Sequence, residues 1–125
     1  MEYTEATAKE WLTSMKLPNF RTGSREVCNP PVMDTDVDFV VLYNGSPMDI
    51  EDAGWMDTTG SDESYGHSLT FRTYRSGEVN LIVVDETIEF TKWHIATVAA
   101  KALNMRYKHQ RISLFQGVLY GNWKA

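Results

Sequence analysis

The most informative segment of the sequence is NFRTGSREVCNPPVMDTDVDFVVL, residues 19–42. Its first four residues are typical of a brief strand, and the turn-forming pair Gly23-Ser24 ends it. Its last six residues, 37–42, are mostly apolar and β-branched and precede Asn44-Gly45, which is typical of a strand that ends in a turn. We therefore predict two strands separated by a tight turn and a short helical or irregular segment.

Two carboxylates, Asp36 and Asp38, open the second predicted strand. Side chains at positions i and i+2 of a strand leave the same face, about 7 Å apart at the backbone, so both can converge on a shared cation. Without a cation, carboxylates this close would repel each other. Magnesium selects hard oxygen ligands, and two Mg²⁺ ions about 3.5–4 Å apart can clamp an in-line phosphoryl displacement. The pair is therefore a candidate site for Mg²⁺ or Mn²⁺.

The turn at Gly23 and Ser24 could supply the complementary phosphate contacts. Glycine lets backbone N–H groups approach a phosphate closely, and a serine hydroxyl can donate to another phosphate oxygen. Taken separately, each element is more simply a turn or a solvated strand end, but the combination favours a site for phosphate and metal. Because guanidinium groups match phosphate oxygens, three arginines are candidate nucleotide ligands or, equally, exposed residues: Arg25, Arg72 and Arg75.

The remaining pattern predicts an α+β domain. An amphipathic helix over residues 5–15 ends before Leu17-Pro18, because the residue before a proline disfavours helical geometry. Residues 69–74 and 79–84 flank a glycine-containing turn and predict a β-hairpin, and two helices follow over about 85–103 and 107–120. We predict one domain, residues 1–125, in which a mixed β-sheet is covered by the N-terminal helix and the two C-terminal helices. The first C-terminal helix is expected to bury Ile88, Trp93, Ile95, Val98, Ala99 and Leu103.

Charge is unevenly distributed along the chain, whose net charge is -5. The segment at about 44–68 carries acids and glycines without Lys or Arg, so we predict a mobile acidic loop there. Within it, four apolar residues could fold down as a small amphipathic turn: Met48, Ile50, Trp55 and Met56. Every acid lies at or before Glu89.

Basic residues without opposing acids follow Glu89, and they are Lys92, Lys101, Arg106, Lys108, Arg111 and Lys124. They either decorate solvated helix faces or form a cationic rim for triphosphate or nucleic acid. The negative net charge argues against extensive nucleic-acid binding, so nucleic acid is a possible partner that the charge does not indicate.

The location can also be predicted from composition. The chain has one cysteine, Cys28, no N-terminal secretory pattern and no apolar run near the ~20 residues of a membrane span. We therefore expect a cytoplasmic protein with no membrane association.

Together these motifs resemble the polymerase β-like nucleotidyltransferase superfamily, whose signature is a Gly-Ser turn, a short helix and an acid-x-acid pair that opens an apolar strand. The segments GSR (23–25), DTDVD (34–38), FRTYRSGEVNLIV (71–83) and RISLFQ (111–116) look like short stand-alone nucleotidyltransferase-like proteins of tailed bacteriophages. The resemblance implies a small nucleotidyltransferase fold, an NTP substrate and Mg²⁺ or Mn²⁺, with the host cytoplasm as the location of a phage-encoded protein.

One position departs from the pattern that the resemblance implies. Catalytic members usually place a third carboxylate on a later strand, and the matching residue here is Asn80. An amide can offer its carbonyl oxygen to Mg²⁺ but brings no charge and is no base. Glu78, two residues earlier on the same strand face, could serve instead. The candidate catalytic residues are thus Asp36, Asp38 and Glu78, and the candidate metal ligands are Asp36, Asp38 and Asn80.

These features support three functional hypotheses. The first is metal-dependent transfer of a nucleotidyl group from an NTP to an unknown hydroxyl acceptor. The second is a catalytically degenerate fold that binds a partner, such as a host protein during phage takeover or counter-defence, through its acidic loop. The third is nucleotide binding without turnover.

Overall fold

The computed structural model describes residues 2–30, 36–60 and 70–121. In chain order its elements are α1 (Glu5–Ser14), β1 (Asn19–Thr22), α2 (Ser24–Val27), β2 (Val37–Leu42), α3 (Pro47–Asp52), β3 (Met56–Asp57), β4 (Phe71–Ser76), β5 (Val79–Val84), α4 (Thr87–Ala102) and α5 (Lys108–Tyr120). None of the helices in these ranges is long and apolar enough to span a membrane.

The strands form one five-stranded mixed sheet in the order β1-β2-β5-β4-β3. The central pair β2 and β5 is parallel, whereas β1, β4 and β3 each add antiparallel pairing. β4 and β5 form the predicted hairpin, which turns at Gly77, where φ is +57°. Glycine adopts this left-handed conformation without the steric cost that a side chain brings. The predicted α+β class and mixed sheet are therefore confirmed.

Side-chain alternation along the strands gives the sheet two covered faces. One face packs Phe39 and Leu81 against α1, whose Leu12 is fully buried. The other face packs Val40 and Ile82 against the two C-terminal helices, which contribute Trp93 and Phe115 among others. The N-terminal helix and the two C-terminal helices thus cover the sheet, as predicted, and they lie on opposite faces of it.

The predicted inner face of α4 is wrong at four positions. The exposed fractions are 60 % for Ile88, 52 % for Ile95, 53 % for Val98 and 66 % for Leu103, which directly follows the helix. The buried face instead follows the spacing i, i+3, i+4, i+7, and its members are Trp93, Ala96, Thr97 and Ala100. This spacing defines one side of a helix. Its small residues let the helix lie close to the sheet, and they leave larger apolar side chains on the outer side.

Part of the predicted acidic loop belongs to the core. Ile50 of α3 and the neighbouring Trp55 are buried in the cluster on the α1 face of the sheet. The indole ring of Trp55 stacks on Tyr3, with ring centroids 4.3 Å apart. Residues 47–57 therefore form α3 and β3 and not the predicted mobile loop. Met48 and Met56 are nevertheless exposed. The prediction for residues 61–68 lies outside the described residues.

Candidate functional site

The register of three adjacent strands brings polar side chains into one row. Asp38 on β2 pairs with Asn80 on the parallel β5, and Asn80 pairs with Arg75 on the antiparallel β4. All three lie on the face that α4 and α5 cover, because they share strand parity with Val40 and Ile82. Asp36 comes two residues before Asp38 and extends the row just beyond the start of β2.

Hydrogen bonds connect these four side chains. Asn80 donates through Nδ2 to Asp38 Oδ1 at 2.9 Å and to Asp36 Oδ2 at 3.4 Å. Arg75 donates through its two terminal nitrogens to the two oxygens of Asp36, each at 3.0 Å. Arg75 Nη1 also lies 3.4 Å from Asn80 Oδ1. The repulsion between the two carboxylates is therefore reduced by donors from the chain itself.

The Gly-Ser turn lies directly against the acid pair. Thr22, the last residue of β1, is the register partner of Asp38, so the turn begins where that carboxylate projects. Gly23 has φ +79°, and a Cβ added there would collide with the Asp38 carboxylate. The end of β1 is held in place by a 2.8 Å hydrogen bond between the buried hydroxyls of Thr22 and Thr97. Glycine is thus required here by both backbone conformation and space.

The turn and the acid pair open into one cleft of about 370 Å³. Known small-molecule sites have volumes of about 300–1,000 Å³, so the cleft is large enough for a nucleotide-sized ligand. Its lining combines the polar row with apolar residues of the sheet and with residues of α5: Gly23, Ser24, Asp36, Asp38, Thr58, Phe71, Thr73, Arg75, Asn80, Leu81, Ile82, Lys108, Arg111 and Ile112.

Two basic residues of α5, Lys108 and Arg111, complete the cleft. Arg111 donates through Nη1 to the carbonyl oxygens of Met105 at 3.0 Å and Arg106 at 2.8 Å, which fixes the turn that leads into the helix. Lys108 makes no hydrogen bond or ion pair with another residue in the described ranges, so its ammonium group is available to a ligand. Neither residue was among the candidate site residues, but both belong to the basic set that follows Glu89 without opposing acids.

Three predicted site residues lie elsewhere. Arg72 is on the opposite face of β4 from Arg75, where it donates to Tyr74 Oη at 3.0 Å and forms an ion pair with Asp57. Positions 72 and 75 differ by an odd number, so strand alternation separates them. Glu78 follows the hairpin glycine and lies 3.6 Å from Arg25 in an ion pair. Neither member of that pair lines the cleft.

The donor set in the cleft suits a hard divalent cation. Asp36 and Asp38 offer carboxylate oxygens, and Asn80 could offer its carbonyl oxygen if its amide group turned over. The described part of the chain contains no group of three or more His, Cys, Asp or Glu side chains that could hold a metal, so a cation in the cleft would have two carboxylate ligands and the amide of Asn80. The side chains of Arg75 and Asp36 are 42 % and 41 % exposed. An ion pair this open to water contributes at most about 1 kcal/mol, so a cation and an anionic ligand could replace it.

The cleft therefore contains six of the nine predicted site residues: Gly23, Ser24, Asp36, Asp38, Arg75 and Asn80. Arg25, Arg72 and Glu78 do not line it. Neither a protein family nor a curated protein nor a solved structure matches the chain in comparisons with known proteins.

Proposed function

We propose that the cleft binds a nucleoside triphosphate with a divalent cation and that the protein transfers the nucleotidyl group to a hydroxyl acceptor. The observation that supports this proposal most is the close approach of Gly23 to the Asp38 carboxylate. It places a turn suited to phosphate next to a pair of carboxylates suited to a cation. A triphosphate with its cation carries both kinds of group within a few ångströms.

The residues of the cleft divide the binding between them. The backbone at Gly23 and the hydroxyl of Ser24, which line the cleft, would donate to phosphate oxygens. Lys108 reaches the same cleft from α5 and brings a positive charge for the polyphosphate. Asp36 and Asp38 would hold Mg²⁺ or Mn²⁺, with the oxygen of Asn80 as a neutral third ligand. The cation, when bound, would supply charge stabilisation at the reacting phosphate.

The reaction has a defined balance. The acceptor oxygen forms a bond to the α-phosphorus, the bond from that phosphorus to the bridging oxygen of the β-phosphate breaks, and pyrophosphate leaves. The acceptor hydroxyl also loses a proton. Within the described lining of the cleft, the carboxylates of Asp36 and Asp38 are the groups able to accept it. Glu78, the base predicted from the sequence, is paired with Arg25 outside this lining and would have to move to take that role.

Calorimetric titration of ATP, GTP, CTP and UTP in the presence of Mg²⁺ tests the binding. We expect at least one nucleotide to bind the natural protein, and we expect Asp36→Asn with Asp38→Asn to abolish binding. The matched control is Asp52→Asn, which removes an exposed carboxylate of α3 on a different part of the surface. Undiminished binding by the double variant would refute the site. Release of pyrophosphate on addition of acceptors would then test transfer.

A second candidate function is nucleotide binding without transfer. Two observations favour it, namely the amide at Asn80 and the position of Glu78 beside Arg25. Neither residue provides a third negative charge in the cleft. Tight nucleotide binding with no pyrophosphate release across several classes of acceptor would favour this candidate over the transferase.

A further inference from the structure

Arg75 and Asp36 form a two-pronged ion pair. Each terminal nitrogen of the guanidinium donates to a different oxygen of the carboxylate, both at 3.0 Å. This fork-to-fork arrangement is geometrically specific and engages both carboxylate oxygens at once. Asp36 is therefore occupied by the chain's own cation at the position where a metal ligand would be needed.

Arg75 and the two carboxylates together fix how Asn80 points. The amide oxygen of Asn80 faces Arg75 Nη1 at 3.4 Å, and its nitrogen faces the carboxylates. An amide nitrogen is a hydrogen-bond donor and does not ligate a cation. Asn80 therefore presents the wrong atom to a metal, and Arg75 contributes to this by donating to the amide oxygen.

The net charge of the row also lowers its affinity for a free divalent cation. The two carboxylates and the guanidinium leave the row with a single net negative charge, because Asn80 is neutral. Divalent-cation affinity depends on the number of charged ligands in a site. The row with Arg75 in place should consequently hold a free divalent cation weakly.

A polyphosphate would reverse all three effects. Its oxygens match the guanidinium fork as well as a carboxylate does, so they can take Arg75 away from Asp36. Once Arg75 is released, Asp36 is free and the amide of Asn80 can turn its oxygen inward. The polyphosphate also adds negative oxygen ligands of its own for the cation.

We propose that Arg75 is a positioning residue that withholds Asp36 and Asn80 from a divalent cation until a polyphosphate binds its guanidinium. The ligand that the cleft takes is then the metal–nucleotide complex and not the free metal followed by the nucleotide. This inference rests on the proposed function. By linkage, metal and nucleotide must raise each other's affinity by the same factor.

The test is binding of Mn²⁺, measured from the electron paramagnetic resonance signal of the free ion, with and without a nucleotide whose α,β-bridge is a methylene group. The informative variant is Arg75→Met, which keeps an apolar stem and removes both the charge and the fork. Arg72→Met is the matched control, because it removes an arginine from the same strand on the opposite face. Arg75→Lys keeps the charge and loses the fork.

Without nucleotide, we expect weak Mn²⁺ binding by the natural protein, unchanged binding by Arg72→Met, and affinity raised by up to about fivefold in Arg75→Met, because the exposed ion pair with Asp36 no longer competes with the cation. Arg75→Lys should fall between them. The nucleotide should increase Mn²⁺ affinity strongly in the natural protein and less in Arg75→Met. Circular dichroism of each variant verifies the fold, and Arg75→Lys gives a second measurement if Arg75→Met is unstable.

Equal or lower Mn²⁺ affinity of folded Arg75→Met would overturn the role of Arg75, as would tight Mn²⁺ binding by the natural protein without nucleotide. Failure of every variant to bind the nucleotide would instead overturn the proposed function, and with it the metal–nucleotide part of this proposal. The two failures are distinguishable because the Mn²⁺ comparison between Arg75→Met and Arg72→Met requires no nucleotide.

Discussion

Replacing Asn80 with aspartate should make the stability of the protein depend on a divalent cation. The substitution removes the 2.9 Å hydrogen bond to Asp38 and places a third carboxylate in the row. Loss of a hydrogen bond to a charged group costs about 1.5–3 kcal/mol. Two like charges about 4 Å apart add up to about 4 kcal/mol at an effective dielectric constant of about 20.

Two features of the site reduce that sum. Arg75 can turn toward the new carboxylate, and the half-exposed row is screened by water. We expect a net loss of about 2 kcal/mol without metal, equivalent to a Tm lower by roughly 6–12 °C for a chain of this size. A cation present at 100 times its Kd stabilises the folded state by about 2.7 kcal/mol. Saturating Mg²⁺ or Mn²⁺ should therefore restore the Tm of Asn80→Asp to that of the natural protein.

Thermal unfolding followed by circular dichroism, in EDTA and in Mg²⁺, measures both effects. Asn44→Asp is the control, because it adds the same charge at an exposed position after β2. Equal stability of Asn80→Asp and Asn44→Asp in EDTA would refute the expected repulsion between the carboxylates. Equal stabilisation of the two variants by Mg²⁺ would refute a cation site at the row.

Three further predictions concern packing, the turn and pH. Leu12→Ala should destabilise the fold by about 2–5 kcal/mol in urea unfolding, whereas Ile95→Ala should cost no more than about 0.5 kcal/mol because Ile95 is exposed. A loss of about 2 kcal/mol or more in Ile95→Ala would show that the face assigned to α4 is wrong. Gly23→Ala should weaken nucleotide binding and also lower Tm, since its Cβ would displace the Asp38 carboxylate. An unchanged nucleotide affinity in calorimetric titration would contradict this. Hydrogen bonds from Thr59, followed by the Arg72 guanidinium, hold the pKa of Asp57 below its ordinary value of 3.8. Asp57→Asn should therefore lower the free energy of unfolding by up to about 1 kcal/mol at neutral pH and progressively less as the pH falls below 3.8. A difference in unfolding free energy between the variant and the natural protein that persists in acid would refute that origin.

The strands and the Gly-Ser turn were predictable because their signals are local. Residues 37–42 and 79–84 have apolar, β-branched sequences. Gly23 lies between a short strand and a segment that no longer has the strand pattern. Local patterns also place Asp36 and Asp38 on one face of a strand. They do not give the order of the strands, which depends on contacts between distant parts of the chain.

The Arg75–Asp36 pair illustrates what strand order adds. These residues are 39 positions apart, and they meet because β5 lies between β2 and β4 in the sheet. From the sequence alone, Arg75 and Arg72 were equivalent as candidate nucleotide ligands. Strand alternation could have shown that they face opposite sides, but only the sheet order shows which side contains the acid pair.

The errors in α4 and in residues 47–57 have a common physical cause. Hydrophobicity alone selected Ile88, Ile95 and Val98 for the core of the helix, whereas helix spacing around Trp93 selects smaller residues. Acidic composition likewise indicated a loop, whereas α3 forms there and Ile50 and Trp55 are buried, as the predicted amphipathic turn allowed. In both cases tertiary packing decided which side chains were buried, and composition did not.

The most direct test of the central claim is a nuclear magnetic resonance experiment with the methylene-bridged nucleotide and either Mn²⁺ or diamagnetic Mg²⁺. Paramagnetic Mn²⁺ broadens the signals of amide groups close to it. The site predicts that Mn²⁺ with nucleotide selectively broadens the amides of Gly23, Ser24, Asp38 and Asn80, and leaves those of Ile50 and Trp55 on the opposite face of the sheet sharp. Broadening centred elsewhere, or no difference between the two faces, would contradict the proposed site.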